Sequence, residues 1–290
     1  MLFVVNPNAG TRSVDFESLL SSAVGDRTEI SVQYTQHSGH ATSLARDAIG
    51  VYDVVIAVGG DGTLNEVGHA LVGRDATLGI IPAGSGNALS RALDIPFEPR
   101  RAVRLLLEGI ERRVDIGRLC GETFLSTAGI GLDAEVCWRY NNSGSGRRGI
   151  VPYIQHSIAG LFSYVPEEVS VYLDDNAEPV TARPLLLTLA NTSIFGYGAE
   201  IAPGALPDDG WLDVCLVEDM TISRTVFNAH RLFTGTFDQV PGVTRYRARR
   251  VRIERPGPGY YQVDGEAREG GETLNAEIQA GGLRVIVPRT

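Results

Sequence analysis

Residues 53–71 read DVVIAVGGDGTLNEVGHAL: β-branched apolar positions, then three glycines around one aspartate, then a run with helical spacing. A strand that hands over to a helix this abruptly is the mark of a βαβ unit, and the first hundred or so residues repeat the pattern. Strand candidates are Leu2 to Val5, Ile30 to Thr35, Val54 to Val58 and Leu78 to Ile81. Helix candidates are Val14 to Ala23, Ala41 to Ile49, Leu64 to Leu71, Ala88 to Leu93 and Arg100 to Leu107. The alternation predicts a parallel sheet covered on both faces. After ERRVDIGRL the texture changes. EVSVYL, PLLLTLAN, WLDVCLVED, RRVRIERP, YYQVDGE and LRVIVP alternate between Gly, Pro, Asp and Asn punctuation, as in an antiparallel sheet or sandwich. One helix is expected among them, around GIVPYIQHSIAGLFSYV. The chain of 290 residues therefore divides into an α/β domain, residues 1–115, and a β-rich domain, residues 116–290, with a cleft between.

Charge narrows the function. Against 35 acidic residues stand 26 basic ones, every one an arginine, for a net charge of -9. An acidic chain has no general attraction to nucleic acid or to an anionic bilayer, so no nucleic-acid partner is expected. Without lysine there is no Walker A loop, no strand lysine of the protein-kinase kind and no side-chain Schiff base. Cys120, Cys137 and Cys215 lie far apart, match no zinc spacing and read as buried thiols of a reducing compartment. MLFVVNPNAG has no basic n-region and too short an apolar run for a signal peptide. No stretch of about 20 apolar residues is present to cross a bilayer. A cytoplasmic location is the expectation.

Three loops at strand ends carry unusual chemistry: NPNAG, GGDGT and PAGSGN. In open α/β sheets ligands bind beyond the carboxyl ends of the strands. Glycine lets backbone N–H groups approach an anion closely, and the helix that follows adds orphan donors and the positive end of its dipole. Thr63 and Asn65, or Ser85 and Asn87, either cap those helices or contact the ligand. Each loop alone is also a good tight turn; three at equivalent strand ends point to phosphate binding. Asp61 would repel a dinucleotide's pyrophosphate, but it suits orienting magnesium or a water, or accepting a proton. Phosphoryl transfer fits best.

In order along nearly the whole chain come NPNAG, TQHSGHATSLA, GGDGTLNEV, IPAGSGNALSRAL, STAGIGLDAEV, LANTSIFGYGAEIAPGALPDDGWLDV and VDGEA. Together they resemble the diacylglycerol kinase catalytic-domain family, which takes in bacterial diacylglycerol kinases, related lipid kinases and sphingosine kinases. NAD kinases and phosphofructokinases carry loops like GGDGT; PDDGWLDV and VDGEA make the likeness to lipid kinases specific. The resemblance implies an α/β domain that binds ATP, a β-sandwich domain that completes a cleft for the lipid, and transfer of phosphate from ATP to a lipid hydroxyl. It implies that Asn6, Asn8, Gly10 and Thr35 line the nucleotide. Gly60, Asp61, Gly62, Thr63, Leu64, Asn65 and Glu66 would cradle the phosphates, with Ser85 and Asn87 closing the third side. A magnesium ion, Mg2+, would take the Asp209 carboxylate and the Leu206 and Trp211 carbonyls, an oxygen set suited to a hard cation. Pro-Asp-Asp-Gly is equally a good turn. The acceptor's proton would pass to Asp264, with Glu266 as partner or metal ligand, or to Asp61 as in the sphingosine kinases. Asp-Gly is also a hairpin turn.

Departures from the pattern bear on the acceptor. GTRS stands where the first loop usually continues with lysine, so Arg12 is the substitute there. GSGNALS is nearer to the sphingosine kinases than to the bacterial diacylglycerol kinases. Asp133 of GIGLDAEV lies near where sphingosine kinases place an aspartate for the lipid amino group, and it reads equally as a solvated helix cap. Diacylglycerol, a sphingoid base and other lipid alcohols all stay open as substrate. The alternatives are a soluble acceptor, as in NAD kinases, and a catalytically silent binding protein. Ile150, Tyr153, Ile154, Ser157, Ile158, Leu161 and Phe162 fall near i, i+3, i+4 spacing, for core packing or a lipid channel. NNSGSGRRG before them suits a mobile loop. Arg245, Arg247 and Arg249 are expected on one strand face, solvated in the favoured reading or in local contact with a lipid headgroup. The expected partners are a lipid alcohol and, transiently, the inner membrane surface, with a homodimer left open.

Overall fold

The computed structural model describes residues 1–9, 29–142 and 150–289, the side chains of 150–154 excepted. The expected helix at Val14 to Ala23, Gly10, Arg12 and the loop 143–149 lie outside the described residues. The chain forms two compact units, Met1–Ile116 with Gly281–Thr290, and Gly117–Ala280.

Unit one follows the alternation in the sequence. Its strands are β1 (Leu2–Val5), β2 (Ser31–Tyr34), β3 (Val54–Gly59) and β4 (Thr77–Pro82). Its helices are α1 (His40–Ala48), α2 (Asp61–Leu71), α3 (Ala88–Ala92) and α4 (Pro99–Glu108). The strands lie in the order β2-β1-β3-β4, all parallel, with Leu2 opposite Ser31 and Val55, and Val54 opposite Thr77. Every residue of β1 and β4 is buried, as parallel strands covered on two faces require. Pro99 opens α4 behind Glu98, whose carboxylate accepts the Arg100 N–H at 3.2 Å. Ala102, Val103 and Leu106 of that helix then pack on Phe3, Val5, Ile56, Val58 and Ile81.

A further strand reaches this sheet from the far end of the chain. The last strand, Thr273–Val287, lays Arg284 and Val285 beside Thr77 and Leu78, parallel to β4. LRVIVP therefore belongs to unit one rather than to the β-rich part. Leu283, Val285, Ile286 and Val287 are all buried, and a continuous apolar run is what a two-faced parallel strand needs. The unit boundary falls inside this strand and inside β5 (Ile110–Leu119).

Unit two continues with β6 (Glu122–Phe124), β7 (Thr127–Gly131), α5 (Leu132–Asn142), α6 (Ile150–Ser163), β8 (Val169–Leu173) and β9 (Val180–Ala182). Then come β10 (Pro184–Ala190), β11 (Ile194–Gly196), β12 (Ala199–Glu200), β13 (Leu212–Glu218) and α7 (Ile222–Asn228). β14 (Val243–Ala248), β15 (Arg250–Glu254), β16 (Gly259–Val263), β17 (Glu266–Gly270) and β18, the last strand, complete it. One antiparallel sheet runs β14-β13-β10-β7-β16-β17; opposite it lie β18, β15, β8 and β9. Leu187, Leu189, Val214 and Leu216 of the first meet Val171, Val251, Ile253 and Leu274 of the second in one core, which makes a sandwich. A single helix was expected here, yet α5 and α7 accompany α6. The first follows β7 without a loop, at Gly131 with φ 115°, so no turn residues announce it. A Cβ on Gly160 of α6 would stand 2.6 Å from Leu132 Cδ1, so this glycine sets how closely α5 and α6 approach. Cys120, expected to be buried, is exposed: it opens the tight turn between β5 and β6, with φ 52° there and 84° at Gly121.

Candidate functional site

In unit one the three glycine loops are tied to one another by side chains. Asn6, just past β1, donates its Nδ2–H to Thr63 Oγ1 at 3.1 Å, and its Oδ1 accepts the Asn8 N–H at 2.9 Å. Asp61, the first residue of α2, accepts the N–H groups of Asn87 and Ala88, each at 2.8 Å, where α3 begins. Its carboxylate thus caps a helix from a neighbouring loop. Asn87, with φ 51°, closes the third loop on itself through both Gly84 N–H (3.2 Å) and Gly84 C=O (2.6 Å). Two glycines are required for this closeness. A Cβ on Gly84 would stand 2.5 Å from Gly60 Cα, and one on Gly86 would strike Asp61 Oδ2.

What the knitting leaves open is the start of α2. A Cβ at Gly62 would meet nothing within 4 Å. The first-turn amides of any helix have no partner inside it, and the dipole adds positive potential there. Among the described residues, an anion therefore has donors and room at this helix start. Ser85 and Asn8 are exposed beside these loops, and Asn65 and Thr35 are half-buried. Two residues expected in the cradle have other tasks. Leu64 is buried in the core and spends its N–H on Gly60 C=O within the helix. Glu66 accepts the N–H groups of Gly39 and Ala41, at 2.9 and 3.0 Å, and so caps α1.

In unit two, Asp264 and Gly265 form a two-residue turn with φ 47° and 82°, joining β16 to β17 with Val263 opposite Glu266. Asp264 does more than turn. Its Oδ2 accepts the Leu125 N–H at 2.7 Å, and its Oδ1 accepts those of Ser126 and Thr127 at 2.8 and 3.1 Å. The carboxylate pins the hairpin to the segment that enters β7. Glu266 is exposed and pairs with Arg268 at 3.1 Å. Gln262, which sequence reasoning passed over, links two expected site residues. Its Oε1 accepts the Gly265 N–H at 2.9 Å, and its Nε2 donates to Asp133 Oδ2 at 3.3 Å. Its signal was slight: Tyr261 and Val263 take the core positions of YYQVDGE, and Gln262, on the strand's other face, is buried as well. Asp133 is not a solvated cap but 3% exposed, in the first turn of α5. Burial pushes its carboxyl up to about 7, and the Ala134 N–H and Gln262 amide offset only part of that cost.

The loop expected to hold magnesium is held instead by arginine. Asp209 Oδ1 accepts the Trp211 N–H at 3.1 Å, and its Oδ2 pairs with Arg247. Arg245 donates to the Pro203 carbonyl and lies 3.3 Å from the buried Asp213 carboxylate, with Arg247 at 3.8 Å from the same oxygen. Arg247 and Arg249 stand over the Trp211 ring, at 5.5 and 4.6 Å from its centroid. The arginine face of β14 is thus a strap across this loop, where a solvated face was expected. Burial raises the Asp213 carboxyl and the two guanidiniums pull it back. Leu206 is 54% exposed. Both oxygens of Asp209 are thus engaged in this arrangement, one of them by a cation. Among the described residues no group of three or more His, Cys, Asp or Glu is placed to hold a metal.

Comparisons with known proteins agree with both units. Residues 1–119 match the family model described as the diacylglycerol kinase catalytic domain. Residues 126–287 match the YegS C-terminal NAD kinase beta sandwich-like domain. A diacylglycerol kinase of Bacillus subtilis (strain 168) is 30% identical over 242 residues, 82% of this chain and 79% of that one. One of Mycobacterium tuberculosis is 31% identical over 245 residues, covering 82% and 77%. A Pseudomonas fluorescens protein named as a YegS-like lipid kinase is 31% identical over 266 residues, covering 90% and 85%. A solved structure from Bacillus anthracis, described as a diacylglycerol kinase, shares the fold at a TM-score of 0.74, with 20% identity over 99% of this chain and 96% of that one.

Proposed function

Because this chain belongs to the diacylglycerol kinase catalytic-domain family, a family of lipid kinases, we propose that it transfers the γ-phosphate of ATP to the hydroxyl of a lipid alcohol, such as a diacylglycerol or a sphingoid base. The observation that carries the nucleotide half is the pair of Asp61 hydrogen bonds that hangs the third glycine loop on the second and leaves the start of α2 open. Asn6, Asn8, Gly60, Gly62, Thr63, Ser85 and Asn87 bind the triphosphate in this proposal. The acceptor belongs to unit two. Its hydroxyl oxygen bonds to the γ-phosphorus, the bond from that phosphorus to the bridging oxygen of ADP breaks, and the hydroxyl proton passes to a carboxylate. Glu266 takes that proton: it is exposed and holds one ion pair, to Arg268, whereas Asp264 is engaged by three backbone amides and Asp61 by two. Magnesium enters with the nucleotide; no protein ligand is assigned to it.

The test is transfer from ATP labelled in the γ-phosphate to detergent-dispersed diacylglycerol, monoacylglycerol, sphingosine, ceramide, phosphatidylglycerol and undecaprenol. Glu266→Gln runs beside the parent chain. One labelled lipid, lost in the variant, supports the proposal and names the acceptor. ATP binding without any lipid product moves the function to a soluble acceptor or to a silent binding protein.

A further inference from the structure

Gln262 is 1% exposed, and a buried amide is costly unless both of its ends find hydrogen-bond partners. In the sheet it stands between Gly129 of β7 and Ala267 of β17, so neither cross-strand neighbour carries more than a methyl group. Asp133 reaches it there from the first turn of α5. The two ends of the amide are then used differently: Oε1 accepts the Gly265 N–H at 2.9 Å, and Nε2 donates to Asp133 Oδ2 at 3.3 Å. An ionised carboxylate has no hydrogen to give. Facing one, the amide must turn its NH2 to Asp133 and its carbonyl to Gly265. Asp133 thereby decides which way round Gln262 sits.

That choice bears on the hairpin of β16 and β17. Its far end is held by Arg255, whose guanidinium donates to the carbonyls of Gly259, Tyr260, Gly270 and Gly271. At the turn, the Asp264 carboxylate holds the first residue to Leu125, Ser126 and Thr127. The second, Gly265, gives its N–H to Gln262, and Glu266 follows it. Glu266 is exposed and its ion pair, to Arg268, lies within its own strand, so the backbone leading to it sets its place. We propose that Gln262, turned by Asp133, is a positioning residue for phosphoryl transfer: it fixes the Gly265 peptide and with it the Glu266 carboxylate against the acceptor hydroxyl. The proposal rests on the lipid-kinase reading. A reacting group misplaced by about 1 Å loses about a hundredfold in rate, so one amide at this turn is enough to matter.

Gln262→Met keeps the length of the side chain and removes both hydrogen bonds. Gln262→Glu combined with Asp133→Asn exchanges carboxylate and amide: the turn keeps its acceptor, and the bond between the two side chains survives with its direction reversed. Steady-state transfer is measured at pH 8, above the value of about 7 to which burial raises the Asp133 carboxyl. Melting temperature and deuterium exchange of the Gly265 amide, followed by NMR, need neither nucleotide nor acceptor. Gln262→Met lowers kcat about tenfold to a hundredfold with KM for ATP unmoved, and its Gly265 amide exchanges about tenfold faster. The paired exchange recovers both. Should Gln262→Met fail to fold, Gln262→Glu alone takes its place: carboxyl there faces carboxyl, and adding Asp133→Asn raises kcat about tenfold. An earlier melting transition with kcat kept makes Gln262 a packing residue and overturns the proposal. So does a paired exchange that restores the protection of Gly265 but not kcat. A parent that transfers to no lipid, with the same exchange pattern, removes the kinase reading and leaves the tie from Asp133 to the turn standing.

Discussion

At the scale of single residues, the carboxylates in this chain divide by what their oxygens are doing. Asp61 looks like a base in sequence and acts as a helix cap in the structure. Asp61→Asn presents an amide N–H to one of two backbone N–H groups, so it costs about 1–3 kcal/mol of stability. With the third loop loosened, KM for ATP rises in step. A base lost from that position would instead lower kcat by about 10²–10⁴ with KM unmoved, and urea denaturation beside steady-state kinetics separates the two. Asp264→Asn is confounded in the same way, because it also unpins Leu125 to Thr127; Glu266→Gln is the cleaner substitution. Asp133 gives a pH signature. Its folded value, about 7, lies above the ordinary 3.8, so between those values the folded chain binds more protons than the unfolded one. Stability attributable to it is therefore present at low pH and lost as pH rises through 7. Relative to Asp133→Asn, the parent should lose about 1.4 kcal/mol per pH unit across that window, on the order of 4 kcal/mol in all. Urea titrations from about pH 5 to 8 that find a flat difference would show the carboxyl to be solvated.

At the scale of elements, the glycine loops were legible because a short-range pattern carries them: strand, glycines and helix follow within a few residues. The ties between elements were not. Gln262 meets Asp133 across 129 residues, and Asp264 meets Leu125 across 139. Nothing local in YYQVDGE says which amides its aspartate will hold. The arginines of TRYRARR were visible as a strand face, but their partners, Pro203, Asp209 and Asp213, lie in the loop before β13 and at the start of that strand, which the β13–β14 pairing brings alongside. That pairing sets Asp213 opposite Arg247 and Cys215 opposite Arg245. It predicts coupling rather than simple addition. Arg245→Met leaves the buried Asp213 with Arg247 alone and costs about 1–3 kcal/mol, discounted from a fully buried pair because Arg245 is 31% exposed. Asp213→Asn in the same chain should recover part of that loss in a double-mutant cycle. Strict additivity would mean that the strap is only a crystal-like arrangement of surface charge.

At the scale of the whole chain, the part least legible in sequence is the return of the last strand to unit one. LRVIVP is as apolar as a sandwich strand, and periodicity cannot say which sheet will receive it. The deciding fact is burial on both faces, since Val285 is 0% exposed beside β4 and Ile286 also packs on the α4 cluster. Two forces hold that strand, and their sizes differ. Arg284 pairs with Asp75, but Asp75 is 97% exposed, so Arg284→Gln should change stability by less than about 1 kcal/mol. Val285→Asp places an unpaired charge between two covered faces and should cost more than about 4 kcal/mol. ATP is expected to raise the melting temperature of the parent; if that substitution also abolishes the rise, the C-terminal strand is part of what keeps the glycine loops in register. If the rise survives, the parallel sheet from β1 to β4 suffices by itself, and the last strand only closes its edge.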